Sequence, residues 1–537
     1  MKLGLLKALE QMKQCIIKLT PAAEKYGNLN LKCCTCTFFP KDVFGGSSKK
    51  AGIGAPIEIK ALGIEGLIKT DIPTDKRTGK PQWIFRERKW VRDFVQINRL
   101  THKDSIIIER TSNRKYNVKP IIVQPQLKNE NNNKRFKVVS LFSGCGGLDL
   151  GFKGGFEHRQ FSFSRTKFDV VLSVDFDNDA ADVFKHNSKY FGKTKSLNKD
   201  ICKLTDEEVP EFDILLAGFP CQPFSNAGKR QGVHDENGRG TLFYQCERLL
   251  RERIENDRHN TPLAFVFENV RGILSSRMPD GHTVPEEIKR KMKRLGFNTV
   301  YKLIKASDYG VPQNRYRVIM VGVRDDLPEF DFDLLSETVE KAKLPSAKKD
   351  PYELCLGSIL SDIPKDVTHL KEHWQYTSTT MNMVTKIGFC SDGKKTLAKF
   401  KRKIPLDKMS STISKGRSWK NMNPDDMTPR FRKIWDNPKK YRAPNFYRRF
   451  ALGEICGTIT ASGQPENSGI THPFENRRFT VREIARIQSF PDDFNFPCAS
   501  ISSAYKVIGN AVPPVLGWVI AKSLQKFLLD HISGDCK

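Results

Sequence analysis

The stretch VVSLFSGCGGLDLGF, residues 138–152, decides the fold, because a valine-rich apolar run leads through three close glycines into a helical pattern. A strand, a glycine turn and a helix form the first unit of α/β sheets whose ligands approach the turn backbone closely. The spacing departs from G-x-G-x-x-G, which disfavours a nicotinamide-dependent dehydrogenase. We therefore predict a ligand-binding turn at the end of the first strand of an α/β domain.

Strands and helices alternate through the middle of the chain. Short apolar runs rich in Val, Ile and Phe predict buried strands, and segments with helical spacing lie between them. The predicted strands are VVLSVD (170–175), DILLAGF (213–219), AFVFENV (264–270) and RVIMVGV (317–323), and the predicted helices include NDAADVFKHN (178–187) and PEEIKRKMKRLGF (285–297). This order predicts a largely parallel sheet with both faces covered by helices.

Changes in composition divide the chain into four segments. The polar run NENNNKR (129–135) ends a basic N-terminal part, the alternation fails after about residue 325, and a helical pattern returns near residue 480. We predict a basic, β-rich N-terminal domain at 1–133, the α/β domain at 134–325, an inserted domain at 326–477 and a return to the α/β domain at 478–537.

The formal net charge of +29 is concentrated in two of these parts. Residues 1–135 carry 27 basic and 12 acidic side chains, residues 341–449 carry 25 and 10, and the remainder carries 38 and 39. Two basic segments beside a near-neutral centre are typical of an enzyme that binds a polyanion. A basic surface that serves only solubility is the alternative.

The start of the chain and its cysteines concern the compartment. Lysines interrupt the apolar pattern of MKLGLLKALEQMKQCIIKL (1–19), which predicts an amphipathic helix rather than a signal peptide. No apolar run approaches the roughly 18 residues that span a bilayer. Thirteen scattered cysteines favour reduced thiols, and we expect a cytoplasmic protein without membrane contact.

Polar residues at the ends of the predicted strands are the candidate site. Asp175 and Phe176 follow the second strand, where a carboxylate suits ribose hydroxyls and a ring suits an adenine, and Asp200 could accept from the adenine amino group. An acidic loop is the simpler explanation of these residues. Cys221 lies in a Pro-Cys-Gln-Pro turn after the third strand, where the rigid prolines hold the thiol outward.

Two further strands add charged side chains. Glu268 ends the apolar run AFVFENV and could act as a general acid. Arg315 and Arg317 open the next strand, where alternation directs both side chains to one face. Two arginines on one face require anionic or carbonyl partners.

Seven stretches in this order resemble the characteristic blocks of the DNA (cytosine-5) methyltransferases of bacterial restriction-modification systems. They are FSGCGGLDLGF, VDFDND, GFPCQPFS, FENVRGIL, QNRYRVIMVGVR, RRFTVREIARIQSFPDDF and AYKVIGNAVPPVLGWVIAKSL. The resemblance covers about residues 136–325 and 478–537. It implies a Rossmann-like S-adenosylmethionine-dependent methyltransferase domain with a smaller inserted target-recognition domain.

The resemblance also implies roles for individual residues. Cys221 would attack C6 of a flipped-out cytosine, Glu268 would contact N3, and Arg315 and Arg317 would position the base and the thiol. The residues expected to bind S-adenosylmethionine are Phe142, Gly144, Gly146, Gly147, Asp175, Phe176, Asp200, Pro220, Asn510 and Val512.

Double-stranded DNA is the implied partner. The glycine-bearing loop after Cys221 suits a segment that closes over DNA, and the basic stretch KKTLAKFKRK (394–403) suits phosphate contact. The DNA-contacting candidates are Gln222, Ser225, Lys229, Arg230, Gln313, Arg417, Asn421 and Thr458. We expect a monomer, near the nucleoid, whose cognate restriction endonuclease acts on the same site without direct contact.

Two alternatives stay open at this point. An RNA (tRNA) cytosine-5 methyltransferase would use the same scaffold, although the large basic insert favours duplex DNA. A DNA-binding regulator without catalysis would not need Cys221, Glu268 or the arginines.

The N-terminal segment exceeds the resemblance. A short helix and a hairpin of SIIIER and KYNVKPI are predicted there, and the segment faintly resembles B3-like DNA-binding barrels. Cys33, Cys34 and Cys36 are close together, but no second pair or histidine matches them, so we expect no metal.

Overall fold

A computed structural model divides the chain into two compact units, Met1–Lys128 and Asn129–Lys537. The structure describes residues 14–34, 38–62, 64, 66–98, 100–102, 104–121, 135–220, 242–257, 261–278, 280–364, 372–390, 393–404, 406, 409, 415–437, 447–463 and 470–532. The four-segment division given above stays a prediction.

The N-terminal unit is built on a five-stranded sheet. Its strands are β1 (Gln14–Lys18), β3 (Ile57–Ala61), β4 (Ile68–Thr70), β6 (Ser105–Ser112) and β7 (Lys115–Ile121), in the order β1-β6-β7-β3-β4. The short strands β2 (Phe44–Gly45) and β5 (Ile72–Pro73) pair with each other, and the helices are α1 (Pro21–Tyr26) and α2 (Lys89–Ile97). The aromatic side chains of Phe38, Phe85 and Tyr116 lie in its core.

Two local predictions for this unit had different outcomes. The predicted hairpin is confirmed, because β6 and β7 pair antiparallel around a turn at Arg114, whose φ is +65°. The predicted N-terminal helix is wrong for residues 14–18, which form the edge strand β1, while residues 1–13 lie outside the described chain. The alternation of exposed and buried residues in QCIIK is that of a strand with one covered face.

The second unit contains a seven-stranded sheet in the order β12-β11-β8-β13-β14-β17-β15. The first five of these pair in parallel, whereas β17 runs antiparallel to both neighbours. The strands are β8 (Phe136–Leu141), β11 (Phe168–Asp175), β12 (Lys195–Asn198), β13 (Ile214–Ala217), β14 (Ala264–Val270), β15 (Phe297–Lys305) and β17 (Tyr316–Arg324). The predicted α/β class is confirmed, with one antiparallel strand in an otherwise parallel sheet.

Helices cover both faces of this sheet, as the near-continuous apolar strands require. The helices are α3 (Gly147–Lys153), α4 (Asn178–His186), α5 (Ser188–Phe191), α6 (Leu242–Asn256), α7 (Val284–Arg294), α13 (Val481–Ile487), α14 (Ile501–Asn510) and α15 (Pro514–Ile532). One core packs side chains of α3, α4, α13, α14 and α15 on one face, and a second packs α6 and α7 on the other. The hairpin of β9 (Phe156–His158) and β10 (Phe161–Phe163) borders the first core.

Helices α3 and α15 approach each other closely because both carry a glycine at the contact. A Cβ on Gly151 would lie 2.6 Å from the Cα of Gly517, so only glycine fits there. The stretch Ile501–Ile532 is long and apolar enough to cross a membrane. However, 89 % of its 18-residue apolar segment is buried inside the protein. This burial identifies it as part of the core.

Helix α3 also places a buried carboxylate beneath the glycine turn. Asp149 is fully buried and accepts hydrogen bonds from Ser140 Oγ at 3.0 Å and Ser173 Oγ at 3.1 Å. Burial raises the pKa of Asp149 to about 6. The two hydroxyls link the strands β8 and β11 to the helix that follows the turn.

The chain after residue 325 contributes to two cores. Helices α8 (Asp333–Lys341), α9 (Leu356–Ser361) and α11 (Gly393–Lys401) pack against the core that contains α15. Helices α10 (Ser378–Ile387) and α12 (Pro429–Asp436) form a separate small core around Trp419. The two-residue strands β16 (Gln313–Asn314) and β18 (Cys456–Gly457) pair in parallel and tie this part of the chain back to the sheet.

Candidate active site

The candidate site lies along the carboxyl-terminal edge of the central strands. In open α/β sheets this edge carries the ligands, because the loops after parallel strands meet there. The register places the ends of β11, β8, β13 and β14 side by side, with the start of the antiparallel β17 next to them. Residues predicted from five separate stretches of sequence therefore share one edge.

The glycine turn follows β8 directly. Phe142, Gly144 and Gly146 all have positive φ values, of 54°, 54° and 83°. Open space surrounds the position of a Cβ on Gly144, whereas a Cβ on Gly146 would lie 2.6 Å from Phe191 and 2.8 Å from Phe184. The turn is thus fixed from below at Gly146 and open at Gly144, which suits backbone contact with a ligand.

The end of β11 supplies the carboxylate and the ring that the sequence predicts. Asp175 Oδ2 accepts a hydrogen bond from the Gly144 N–H at 2.7 Å, and its Oδ1 accepts from the Asp177 N–H at 2.9 Å. Burial raises the pKa of Asp175 above its usual value. The ring of Phe176 is 73 % exposed beside it, which is unusual for a phenylalanine at the end of a core strand.

Three other predicted ligand residues belong to segments near this edge. Asp200 follows β12, the neighbour of β11, and its carboxylate accepts from the Cys202 N–H at 2.9 Å. Val512 packs its carbonyl oxygen where a Cβ on Gly147 would lie, so the C-terminal block contacts the glycine turn. Asn510 is exposed at the end of α14, two residues before Val512.

The end of β13 leads to the predicted nucleophile. A Cβ on Gly218 would lie 3.7 Å from both the Phe142 carbonyl oxygen and Glu268 Oε2, so this residue separates the glycine turn from the carboxylate. Asn269 donates a hydrogen bond from Nδ2 to the Phe219 carbonyl at 3.0 Å. Pro220 is exposed, and Cys221 lies outside the described residues.

Asn269 is a site residue to which the sequence analysis assigns no role. It is 3 % exposed at the end of β14, although asparagine is rarely buried without a partner. Its amide contacts the residue before Pro220, and so restrains the strand end that carries the thiol. The sequence signal that could have identified Asn269 is an amide directly after a candidate catalytic carboxylate, at the end of an apolar strand.

Glu268 and Arg317 form an ion pair across adjacent strands. Arg317 Nε lies 2.7 Å from Glu268 Oε1, and the two side chains are only 13 % and 11 % exposed. The register places Arg317 opposite Val270, two residues beyond Glu268 on the same side of β14. The guanidinium is thus one of the groups that hold the carboxylate in place at this edge.

Arg315 has different partners from Arg317. It precedes β17, so strand alternation does not relate the two side chains as predicted. Its guanidinium donates to the Ile459 carbonyl at 2.9 Å and to the Gly509 carbonyl at 3.1 Å. Burial, reinforced by the charge of Arg317, lowers the pKa of Arg315.

Two buried polar atoms at this edge lack a hydrogen bond within the part of the chain that the structure describes. They are Arg315 Nε and Glu268 Oε1, the latter in ion contact with Arg317 but not aligned as a hydrogen bond. Unsatisfied buried polar atoms are rare in proteins and cluster where a ligand completes the site. Arg315 Nε and Glu268 Oε1 therefore suit a polar substrate that accepts a hydrogen bond from the guanidinium and donates one to the carboxylate.

The predicted DNA-contacting residues occupy varied positions. Gln313 is fully buried, where its amide donates to Gln488 Oε1 at 2.8 Å and accepts from the Ile459 N–H at 3.0 Å. This burial favours a structural role over a nucleotide contact. Thr458 lies beside Asn314, to whose carbonyl its hydroxyl donates at 3.2 Å, and is thereby close in the chain to the Ile459 carbonyl that binds Arg315.

In the basic insert, the side chains of both predicted DNA-contacting residues form hydrogen bonds with backbone groups. Arg417 donates from Nε to the Ile387 carbonyl at 2.6 Å, and Asn421 Oδ1 accepts from the Ser418 N–H at 2.9 Å. Exposed basic residues 401–403 end helix α11, where the sequence predicts phosphate contacts. The candidates Gln222, Ser225, Lys229 and Arg230 lie outside the described residues.

Comparison with known proteins identifies the family of this chain. An α/β fold with polar residues at the strand ends is typical of an enzyme, and residues 136–526 match the family described as C-5 cytosine-specific DNA methylase. The chain belongs to this family of DNA methyltransferases, as the sequence resemblance predicts.

Relatives match over nearly their full length. The chain is similar to the type II methyltransferase M.FnuDI of Fusobacterium nucleatum, with 30 % identity over 73 % of this chain and 95 % of the relative. It is 31 % identical to the type II methyltransferase M.NgoPII of Neisseria gonorrhoeae, over 73 % of this chain and 96 % of the relative. Among solved structures, the S. pombe Dnmt2 methyltransferase matches with 15 % identity over 74 % of this chain and 99 % of that chain, at a TM-score of 0.44.

Proposed function

We propose that this enzyme is a sequence-specific DNA cytosine-5 methyltransferase of a type II restriction-modification system, which methylates C5 of a flipped-out cytosine through a covalent bond between Cys221 and C6. The observation that carries the proposal is the buried Glu268–Arg317 pair beside the strand end that leads into Cys221, in a chain of the C-5 cytosine-specific methylase family. The type II designation of the relatives supports the restriction-modification role.

The residues around the glycine turn fit S-adenosylmethionine. The open space at Gly144 lets a ligand approach the backbone of the turn. The Asp175 carboxylate, held by two N–H groups, suits ribose hydroxyls, and the exposed ring of Phe176 suits an adenine. When bound, S-adenosylmethionine supplies an electrophilic methyl group. The residues proposed to hold it are Phe142, Gly144, Gly146, Gly147, Asp175, Phe176, Asp200, Pro220, Asn510 and Val512.

The protein's own groups activate the cytosine. C5 of cytosine is a weak nucleophile, so the thiolate of Cys221 first forms a bond to C6 and the displaced electron pair moves toward N3. N3 takes up a proton from solvent water, and Glu268, held by Arg317, contacts N3 and stabilises this protonated form. After C5 has gained the methyl group, water accepts the C5 proton, the C5–C6 double bond re-forms with expulsion of the Cys221 thiolate, and N3 returns its proton to water.

Arg315 acts beside this pair in the proposal. Two of its donors are engaged by backbone carbonyls, which fixes the plane of the guanidinium, and Nε is left to meet the substrate. Because C6 is shielded within a duplex, the base must leave the stack to reach these groups. Residues 221–241 and the basic insert are proposed to contact the DNA.

The remaining proposals concern partners and compartment. Charge surpluses of 15 in residues 1–135 and in residues 341–449 support binding to double-stranded DNA, and we propose that the N-terminal unit adds such contacts. Free thiols in the described part of the chain, such as Cys145, Cys202 and Cys246, fit a reducing bacterial cytoplasm. We propose that the enzyme acts as a monomer on the site that a cognate endonuclease cleaves.

Methyl transfer from labelled S-adenosylmethionine tests the proposal. The protein is incubated with duplex DNA or with tRNA, and the nucleosides are then separated. We expect label in 5-methylcytosine of DNA, and none with Cys221→Ser. Label in tRNA alone would overturn the assignment to DNA, and bisulfite sequencing of DNA from an expressing host would identify the methylated site.

A further inference from the structure

Three cysteine sulfurs meet in the N-terminal unit. Cys34 Sγ lies 2.6 Å from Cys15 Sγ, and Cys15 Sγ lies 3.4 Å from Cys33 Sγ. All three sulfur atoms are within 4.8 Å of one another. The adjacent pair in LKCCTCTFF is thus joined by a cysteine that precedes it by 18 residues.

The main chain fixes both sides of this cluster. Cys15 lies on the covered face of β1, the edge strand of the five-stranded sheet, and is 7 % exposed. Cys34 is 4 % exposed in a turn closed by its N–H on the Leu31 carbonyl at 2.9 Å, and the Leu31 N–H is bound in turn by the Trp83 carbonyl at 2.8 Å. Cys33 is exposed, so the cluster opens to solvent on one side.

We propose that Cys15, Cys33 and Cys34 bind a divalent cation that prefers thiolate ligands, Zn²⁺, and that this ion ties the turn to the edge strand. Tetrahedral Zn²⁺ with Zn–S bonds of about 2.3 Å places neighbouring sulfurs ~3.8 Å apart. The Cys15–Cys33 distance is close to this value, and the Cys15–Cys34 distance requires an opening of about 1 Å. Three thiolates leave one position for a fourth ligand.

A disulfide accounts less well for the cluster. A bond between Cys15 and Cys34 would use two sulfurs and leave the third thiol against it. Uncharged thiols form only weak hydrogen bonds, so contact among three of them gains little without a cation. The buried thiols Cys145 and Cys246 of the other unit are likewise free, as in a reducing compartment.

The sequence predicts no metal here because no second cysteine pair or histidine lies near Cys33 and Cys34. Cys15 lies far from the pair, in a segment that the sequence predicts as helix, and a thiolate set formed by an edge strand and a distant turn has no compact motif. Cys36 lies outside the described residues and forms no part of the proposed site. A structural ion here would act on the fold of the N-terminal unit and not on methyl transfer.

Metal analysis of the full-length protein tests the proposal. The chain is purified under reducing conditions without chelator, and zinc is quantified by mass spectrometry and by its release when a mercurial blocks the thiols. We expect about one equivalent of zinc in the wild type and at least a fivefold loss in Cys15→Ser and Cys34→Ser. Cys202→Ser, which removes an exposed free thiol of the other unit, is the matched control and should keep its zinc.

A second measurement uses only wild-type protein and therefore tests the proposal even if the serine variants fail to fold. Wild-type protein is stripped with a chelator and reloaded with Co²⁺, which should produce a thiolate-to-cobalt charge-transfer band that Zn²⁺ then abolishes. Any of three results would overturn the proposal. Wild-type protein could contain no metal and have freely reacting thiols, its cobalt spectrum could lack this band, or its mass could be two daltons lower because of a Cys15–Cys34 disulfide.

Discussion

Arg317→Ala tests whether the ion pair with Glu268 orients the candidate catalytic carboxylate. The two side chains are 2.7 Å apart and only 13 % and 11 % exposed, so the substitution leaves a largely buried carboxylate without its partner. Breaking a buried pair in this way costs about 3–5 kcal/mol. If about 3 kcal/mol of this is lost from transition-state stabilisation, methyl transfer falls ~100-fold.

The same strand offers a matched control. Arg324 ends β17, is 11 % exposed and binds Asp326 through Nη2 at 2.8 Å, but it lies away from the candidate site. We expect Arg324→Ala to retain methyl transfer and to lower the unfolding temperature less than Arg317→Ala does, because its partner Asp326 is 51 % exposed and stays hydrated. The assay is transfer of labelled methyl groups to DNA, with unfolding followed in parallel. Equal turnover of the two variants would refute the assigned role of Arg317.

Three further substitutions test local geometry. Asn269→Ala leaves the buried Phe219 carbonyl without its donor and should cost about 1–3 kcal/mol, measured by denaturant unfolding, together with slower methyl transfer; unchanged values in both would contradict a positioning role. Gly146→Ala adds a Cβ 2.6 Å from a phenylalanine ring at φ +83°, so it should unfold at a lower temperature than Gly144→Ala, whose Cβ meets open space, and the reverse order would be inconsistent with the turn. Asp149 has a pKa raised to about 6, so the stability that its protonated form contributes is lost as the pH rises from about 4 through 6. The unfolding temperature of Asp149→Asn should therefore rise relative to that of the wild type over this range and keep the difference at pH 8. A difference that does not change with pH would argue against the raised pKa.

Local patterns were sufficient to predict the central sheet. The runs that end in Asp175, Glu268 and the Cys221 turn carry their own strand signal, because β-branched and aromatic residues recur between turns. The family blocks then place their strand ends at one edge. The antiparallel direction of β17 was not predicted, since pairing direction depends on the chain path between strands.

Contacts between distant segments explain what the sequence did not predict. The bonds from Arg315 to Ile459 and Gly509 cross 144 and 194 residues, and no periodicity reports them. Gln313 was predicted to contact DNA, but its amide donates to Gln488, which directly follows α13 and lies far along the chain. The sulfur cluster at Cys15 depends likewise on the sheet that brings β1 to the turn.

Covalent trapping by DNA that contains 5-fluorocytosine tests the central claim most directly. Fluorine at C5 cannot leave as a proton does, so the bond between Cys221 and C6 persists after methyl transfer. We expect wild-type protein with S-adenosylmethionine to form a complex that survives denaturing electrophoresis, and Cys221→Ser to form none. A wild-type enzyme that methylates ordinary DNA but forms no such complex, or an equal complex with Cys221→Ser, would contradict the proposed mechanism.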